Sequence, residues 1–277
     1  MIPESLYHSA VRYGQISALC LFAVVGMVAF ASCEGNKTTS NQQWIDSDSI
    51  ATVDSLEKEA ENMPRGIDVL FDDFFFNFAG NSRFQAKRIL PKLQKGWKYD
   101  SFFMEQGYYT LIFSSAEEME LTKDTTVNKA ILKRIDLKKR YSKDYIFRRL
   151  NGNWYLTAVE HHRVEDSPNS SFLYFYYRFA NDPKFQMMCL HNPLIFIGPD
   201  PDDDFASIEG EILPETWPAF CPSLLPKREM YNIVYGDETN TDTNTTYFII
   251  RGIANGMEIR MTFGKENGVW TLQKYEQ

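Results

Sequence analysis

Apolar residues recur at helical spacing in FDDFFFNFAGNSRFQ (Phe71 to Gln85), which places five phenylalanines in its first eight residues. Phe71, Phe74, Phe75 and Phe78 follow the i, i+3, i+4, i+7 spacing of one helix face, and so predict a helix with an aromatic stripe. The back of that helix, Asp72 and Asp73, is suited to water. The pattern returns 101 residues later as FLYFYYRFANDPKFQ, where Phe172, Phe175, Phe179, Ala180, Phe185 and Gln186 match Phe71, Phe74, Phe78, Ala79, Phe84 and Gln85 without a gap. Gly80 and Asn181 are the residue types that most readily end a helix in the left-handed conformation. Pro168 and Asn169-Ser170-Ser171 offer start and capping residues for the second helix. Phe76 and Tyr177 lie about 140° from the stripe, and Tyr174 lies roughly opposite it. These three rings are a candidate ligand or interface surface, covered by the rest of the chain or by a partner. The alternative is that they lie flat with the tyrosine hydroxyls in water.

The ends of the two units also correspond. RRLNGNWYLTAVE (148–160) matches GKENGVWTLQKYE (264–276), and each holds an Asn-Gly step that permits the positive φ angles of a tight hairpin. A further Asn-Gly stands at Asn255-Gly256. Between the turns Met257, Ile259, Met261 and Phe263 alternate with Glu258, Arg260 and Thr262, which predicts a strand with one buried and one wet face. Residues 246–276 therefore read as a three-stranded antiparallel meander, and residues 129–160 as a blurrier version of it. Each unit is helix first and sheet last, an α+β layer.

An aromatic helix followed by a meander that ends in N-G-x-W-x-L resembles the nuclear-transport-factor-2-like (ketosteroid-isomerase-like) cone fold, with Trp154 and Trp270 carrying most of the resemblance. The doubled unit and the FDDFFFNFAGNSRFQ motif look like an uncharacterised family of Bacteroidetes lipoproteins, domain of unknown function 4348, over about Pro64 to Gln277. The expected architecture is α+β, with two tandem cone-like domains at 64–165 and 166–277, each an aromatic helix packed on a curved antiparallel sheet. Enzymes of the superfamily use a carboxylate, histidine or tyrosine inside the cone as acid or base, so the resemblance also implies what a catalytic version would need.

Composition sharpens the picture at the N-terminus. Ile16 to Ala31 carries no charge and closes as Phe30-Ala31-Ser32-Cys33, the pattern of a lipoprotein signal peptide at 1–32 with the lipid on the Cys33 thiol. Sixteen uncharged residues fall short of the roughly 20 that span a bilayer. Several acyl chains anchor stably where one does not, so the expected partner is a membrane, and the expected address is the cell envelope, at the outer membrane. Residues 33–63 form a polar tether with seven acids against two lysines and no apolar period. Within it, Asp48-Ser49-Ile50 and Asp54-Ser55-Leu56 resemble the short acceptor motif of Bacteroidetes O-glycosylation. Residues 64–165 hold 18 basic and 13 acidic residues, a net of +5; residues 166–277 hold 8 and 16, a net of −8. Opposite signs favour docking of the halves at short range. No basic patch dominates, which argues against nucleic acid as a partner.

Candidate chemistry is sparse. The chain has no G-x-S-x-G, H-E-x-x-H, Walker loop or C-x-x-C. Adjacent His161 and His162 would point to opposite faces of a strand and are poor joint ligands. Asp200, Asp202, Asp204 and Glu211 fall at positions 1, 3, 5 and 12 of a calcium loop, but Phe205 replaces the glycine of the sharp turn, so a solvated acidic loop competes with the metal reading. Cys189 and Cys221 remain once Cys20 leaves with the signal and Cys33 is lipidated. Export permits a bridge between them, and closing that loop would contribute roughly 3–4 kcal/mol; two buried thiols are the other state. Nine basic residues between Lys129 and Arg149 are read as solvated strand faces, or as a contact for an anionic surface or the acidic second unit. No cofactor is expected. The reading is a non-catalytic binding module for a small apolar ligand or a protein partner, with an isomerase- or hydrolase-like enzyme and a structural envelope protein as alternatives.

Overall fold

The first aromatic stretch forms helix α1 (Phe71–Gly80), and all four stripe phenylalanines are buried. The structure, a computed structural model, describes residues 66–203, 205–238 and 244–277, which fall within one compact unit. The expected signal peptide, Cys33 and the tether at 33–63 lie outside the described residues. After α1 come the short helices α2 (Ser82–Lys87) and α3 (Pro91–Gln94), strand β1 (Tyr108–Phe113) and helix α4 (Ala116–Met119). Strands β2 (Lys129–Asp136), β3 (Tyr141–Leu150) and β4 (Asn153–Arg163) make the first meander. The second half has α5 (Ser170–Asn181), α6 (Pro183–Met188), β5 (Leu190–Pro199), β6 (Ser207–Ile212) and α7 (Trp217–Phe220). It closes with β7 (Glu229–Tyr235), β8 (Thr245–Gly252), β9 (Glu258–Glu266) and β10 (Val269–Glu276).

Helices α1 and α5 stop for a different reason than the left-handed cap expected at Gly80 and Asn181. Neither residue has a positive φ. The next residue in each case starts a new helix: the Asn81 side chain accepts from the N–H of Arg83 and Phe84, and the Asp182 side chain accepts from those of Lys184 and Phe185. An N-cap that satisfies two orphan donors turns the chain without a glycine conformation. The hairpins behave as their Asn-Gly steps predict, with φ of 48° and 73° at Asn151-Gly152 and 50° and 81° at Asn267-Gly268. At the third step the left-handed residues are Ala254 and Gly256 instead.

Aromatic packing is nearly the same in both halves. Phe71 meets Trp154 at 5.1 Å between ring centroids and 70°, and Phe172 meets Trp270 at 5.6 Å and 75°. Phe78 stands edge-on to Phe147 at 5.2 Å, and Phe179 to Phe263 at 5.3 Å. Rings that bury 150–250 Å² each fill the hollow between helix and sheet.

The strands, however, do not form the two separate sheets expected of tandem cones. They make one ten-stranded sheet in the order β4-β3-β2-β7-β1-β8-β9-β10-β5-β6. Strand β7 of the second half pairs with β2, while β1 of the first half pairs with β8. Strands β1 and β7 lie parallel at the centre, Thr110 opposite Asn232 and Leu111 opposite Ile233. On β1, Tyr109, Leu111 and Phe113 join the α1 core and Ile112 joins the α5 core; on β8, Ile249 goes one way and Phe248 and Ile250 the other. Successive strand residues point to opposite faces, so α1 and α5 cover opposite faces of the sheet. The central strands are thereby buried on both sides and read as continuous apolar runs such as YYTLIF.

The charge difference between the halves is used at this junction. Arg134 pairs with Glu229 at 3.0 Å, Lys133 with Glu238 at 2.6 Å, and Lys129 with Asp237, each joining β2 to β7 or the residues after it. Part of the basic run from Lys129 to Arg149 thus faces the acidic second half.

Candidate functional site

Helix α5 carries a second stripe besides the one in its core. Tyr174, Tyr177, Arg178 and Asn181 repeat the i, i+3, i+4, i+7 spacing on the outer side. They line an open groove of about 620 Å³ whose other wall is the β2–β3 turn of the first half, with Leu137 and Arg140. Arg140 sits in that turn with φ of 57° and holds its guanidinium 4.6 Å from the centre of the Tyr174 ring. Arg178 lies over the Phe185 ring at 4.0 Å and reaches Asp182 at 3.8 Å. Asn181 pins the far end by donating to the carbonyls of Tyr177 and Lys227. The back face of the second helix is therefore walled by the first half but not closed. Of the three rings expected on this surface, the structure brings Tyr174 and Tyr177 together. Phe76 lies apart, packed on Tyr109 in the α1 core at 6.2 Å.

The remaining sequence candidates do not assemble into a centre. Cys189 and Cys221 are free thiols, so the bridge is not formed. Burial pushes both thiols up, which keeps them protonated. In the acidic loop, the hairpin register sets Glu211 opposite Ile195 and Ser207 opposite Pro199. At about 3.4 Å per residue, those four steps put Glu211 about 14 Å along the hairpin from the loop that holds Asp200 and Asp202. A twelve-residue calcium loop folds its last ligand back, and a paired strand cannot. Asp200 instead accepts the N–H of Asp202 at 2.8 Å, and Asp204 lies outside the described residues. Among the described residues no group of three or more His, Cys, Asp or Glu is placed to hold a metal ion. His161 stacks on Tyr141 while His162 turns toward Glu160 and Asp144.

Two polar clusters escaped the sequence reading. The Asp72 carboxylate, expected to face water, is largely buried; it accepts from the Tyr109 hydroxyl at 2.8 Å and from the Tyr235 hydroxyl, and lies 3.9 Å from Arg251. Burial raises its pKa, against the pull of the two hydroxyls and the arginine. Burial and then the Asp72 charge push the Tyr109 and Tyr235 phenols up, so both stay donors. Asp72 belongs to the first half, but Tyr235 and Arg251 come from β7 and β8. Sequence could flag neither partner, because both come from strands more than 150 residues further along the chain. The second cluster is Lys133, buried between Asp144 at 3.3 Å and Glu238, with the Ser142 hydroxyl also on Asp144.

Helices on both faces of a large, mainly antiparallel sheet define an α+β protein of the nuclear-transport-factor-2-like class. A crystal structure of an NTF2-like protein from Bacteroides fragilis NCTC 9343 superposes with a TM-score of 0.71 at 35% identity, covering 77% of this chain and 97% of that one. The chain belongs to the family defined by the domain of unknown function DUF4348, whose model matches residues 51–277. Comparison with curated proteins gives no match.

Proposed function

We propose that this chain is an exported, lipid-anchored protein of the cell envelope whose described part is a non-catalytic binding module. It takes a small anion carrying a flat ring in the groove on the outer side of α5. One observation carries the reading: Tyr174 and Tyr177 face an open volume of about 620 Å³ in company with Arg140 and Arg178. The turn that supplies Arg140 also exposes Lys138 and Lys139, so the approach is positive. Two acids adjoin the groove, Asp182 beside Arg178 and Glu165 at the Tyr174 hydroxyl, and Glu165 is paired with Arg163. Tyrosine faces stack on ring ligands, and guanidinium groups fix an anion by geometry as well as charge. The sheet hollow, where an apolar ligand was expected, is filled by the chain's own phenylalanines and tryptophans. We further read the halves as two copies of one cone-like unit that have exchanged their central strands. The enzyme alternative would draw on Asp72, but both of its oxygens already accept hydroxyls.

Two measurements test this reading. Cys33→Ser is expected to move the protein from the membrane to the soluble fraction; unchanged membrane attachment rejects the anchor. Phenyl phosphate and benzoate are expected to bind in calorimetric titration, and Arg178→Glu to weaken them about tenfold or more. Equal binding by neutral phenol, or no response to Arg178→Glu, rejects the groove.

A further inference from the structure

Gln85 in α2 and Gln186 in α6 occupy matching places in the two halves, and both are buried. Each accepts a tryptophan N–H at Oε1, from Trp97 at 2.9 Å and from Trp217 at 3.2 Å. Beyond that the halves part. Gln85 also clasps the main chain of one residue of its own chain: its Oε1 accepts the Asp100 N–H at 3.1 Å and its Nε2 donates to the Asp100 carbonyl at 2.9 Å. Beside it the Tyr99 hydroxyl donates to the Ala79 carbonyl. A Tyr-Asp segment is thus held over Ala79 and Gln85 by side-chain-to-backbone hydrogen bonds, with the Gln85 amide pairing both polar groups of the Asp100 main chain as a neighbouring strand would.

Over Ala180 and Gln186 there is instead an open cleft of about 300 Å³. The second acceptor position on Gln186 Oε1 is taken by the Cys221 thiol at 3.6 Å, a weak donor. Among the described residues the Gln186 Nε2 has no hydrogen-bond partner. Pro183, Pro218 and Pro222 wall the cleft with rings that bring no N–H of their own, and Lys227 stands at the rim.

We propose that this cleft is a peptide-binding site for an extended segment of a partner protein, one in which an aromatic residue precedes an acidic one. The segment docks on Ala180 and Gln186 as Tyr99 and Asp100 dock on Ala79 and Gln85. Its N–H displaces the thiol from Gln186 Oε1, its carbonyl takes the Nε2 proton, its ring covers Ala180, and its carboxylate meets Lys227. The exchange replaces a thiol contact by an amide one and gives the Nε2 a protein acceptor within the open cleft, so both ends of the Gln186 amide are paired. The cleft adjoins the outer groove of α5 at Asn181, which lines both, but its binding groups, Gln186 and Lys227, do not line that groove.

A capped peptide Lys-Tyr-Asp-Ser, the order at residues 98–101 of this chain, is the probe. Added to the purified full chain it is expected to bind saturably and to slow alkylation of Cys221 by iodoacetamide, read by peptide mass mapping. Methylating the aspartate N–H of the peptide removes one pairing bond, and should weaken protection about three- to tenfold. Gln186→Met should abolish it. That variant also removes the Trp217 acceptor and could unseat the helix, so the methylated peptide, which leaves the protein untouched, is the deciding arm. Equal protection by the methylated peptide, or none from either peptide at millimolar concentration, overturns the proposal.

Discussion

Asp72 sits one residue after the start of α1 and on the flank of its aromatic stripe, where a helical wheel alone would leave it wet. The residue at the matching place in the second half is Leu173, which is buried in the α5 core. Two different residues solve the same position because what arrives beside them differs. Tyr235 and Arg251 bring donors to Asp72, and a carboxylate there fastens α1 to the strands of the other half. Burial raises the Asp72 pKa above its ordinary 3.8, so the folded state holds that proton more tightly than the unfolded chain does. The resulting stabilisation is complete below the ordinary carboxylate range and is lost as pH rises through the folded pKa. The stability of the native protein relative to Asp72→Asn is therefore expected to fall in urea unfolding as pH rises above the ordinary carboxylate range. A difference that stays flat or grows would refute the burial argument. A similar divergence separates Arg88 from Cys189. Arg88 makes a two-pronged bond to the fully buried Asp68, both contacts at 2.9 Å, whereas the thiol at the matching place sits among apolar side chains.

At the scale of elements, α1 and α5 share a core stripe and part company on their outer faces. Asp73, Phe76, Asn77 and Gly80 stand where α5 has Tyr174, Tyr177, Arg178 and Asn181. The groove is therefore a property of α5 and the β2–β3 turn together. Arg140 holds a left-handed conformation in that turn, which costs an L-residue about 1–2 kcal/mol. Glycine adopts it freely but loses more entropy on folding and lacks the contact with Tyr174. Arg140→Gly should accordingly leave thermal stability within about 1 kcal/mol of the native protein, while binding of phenyl phosphate falls. A large destabilisation would mean that Arg140 holds the turn in place rather than serving the groove. The helices and the two meanders were legible from period and turn chemistry, because those signals are local. Strands β1 and β7 were not, since a strand buried on both faces loses the alternation that marks a strand.

For the whole molecule, the interleaving of β1 and β7 between strands of the other half decides how it can come apart. Each half alone lacks the neighbour that covers one edge and one face of its own central strand, and it loses the ion pairs of Arg134 and Lys133 across the β2–β7 junction. Residues 64–165 and 166–277 expressed separately are expected to stay unfolded or aggregated, by circular dichroism and sedimentation. Mixing them should restore the native spectrum. Either half folding alone as a stable monomer would contradict the interleaved sheet. Exposed strand edges and unpaired apolar faces are what make that outcome costly.

The order of apolar and polar residues by itself determined the two ring-bearing helices, the hairpins at Asn151-Gly152 and Asn267-Gly268, and the meeting of each helix with its tryptophan. Those features are written in spacings of a few residues, and backbone geometry reads them the same way wherever the chain goes. Only the tertiary structure decided that β7 lies between β2 and β1, that Asp72 finds its partners in the other half, and that Tyr174 and Tyr177 open onto a groove while Phe76 packs on Tyr109. Strand partners are chosen among distant segments of similar apolar character, and that choice rests on register, charge and packing over the whole sheet.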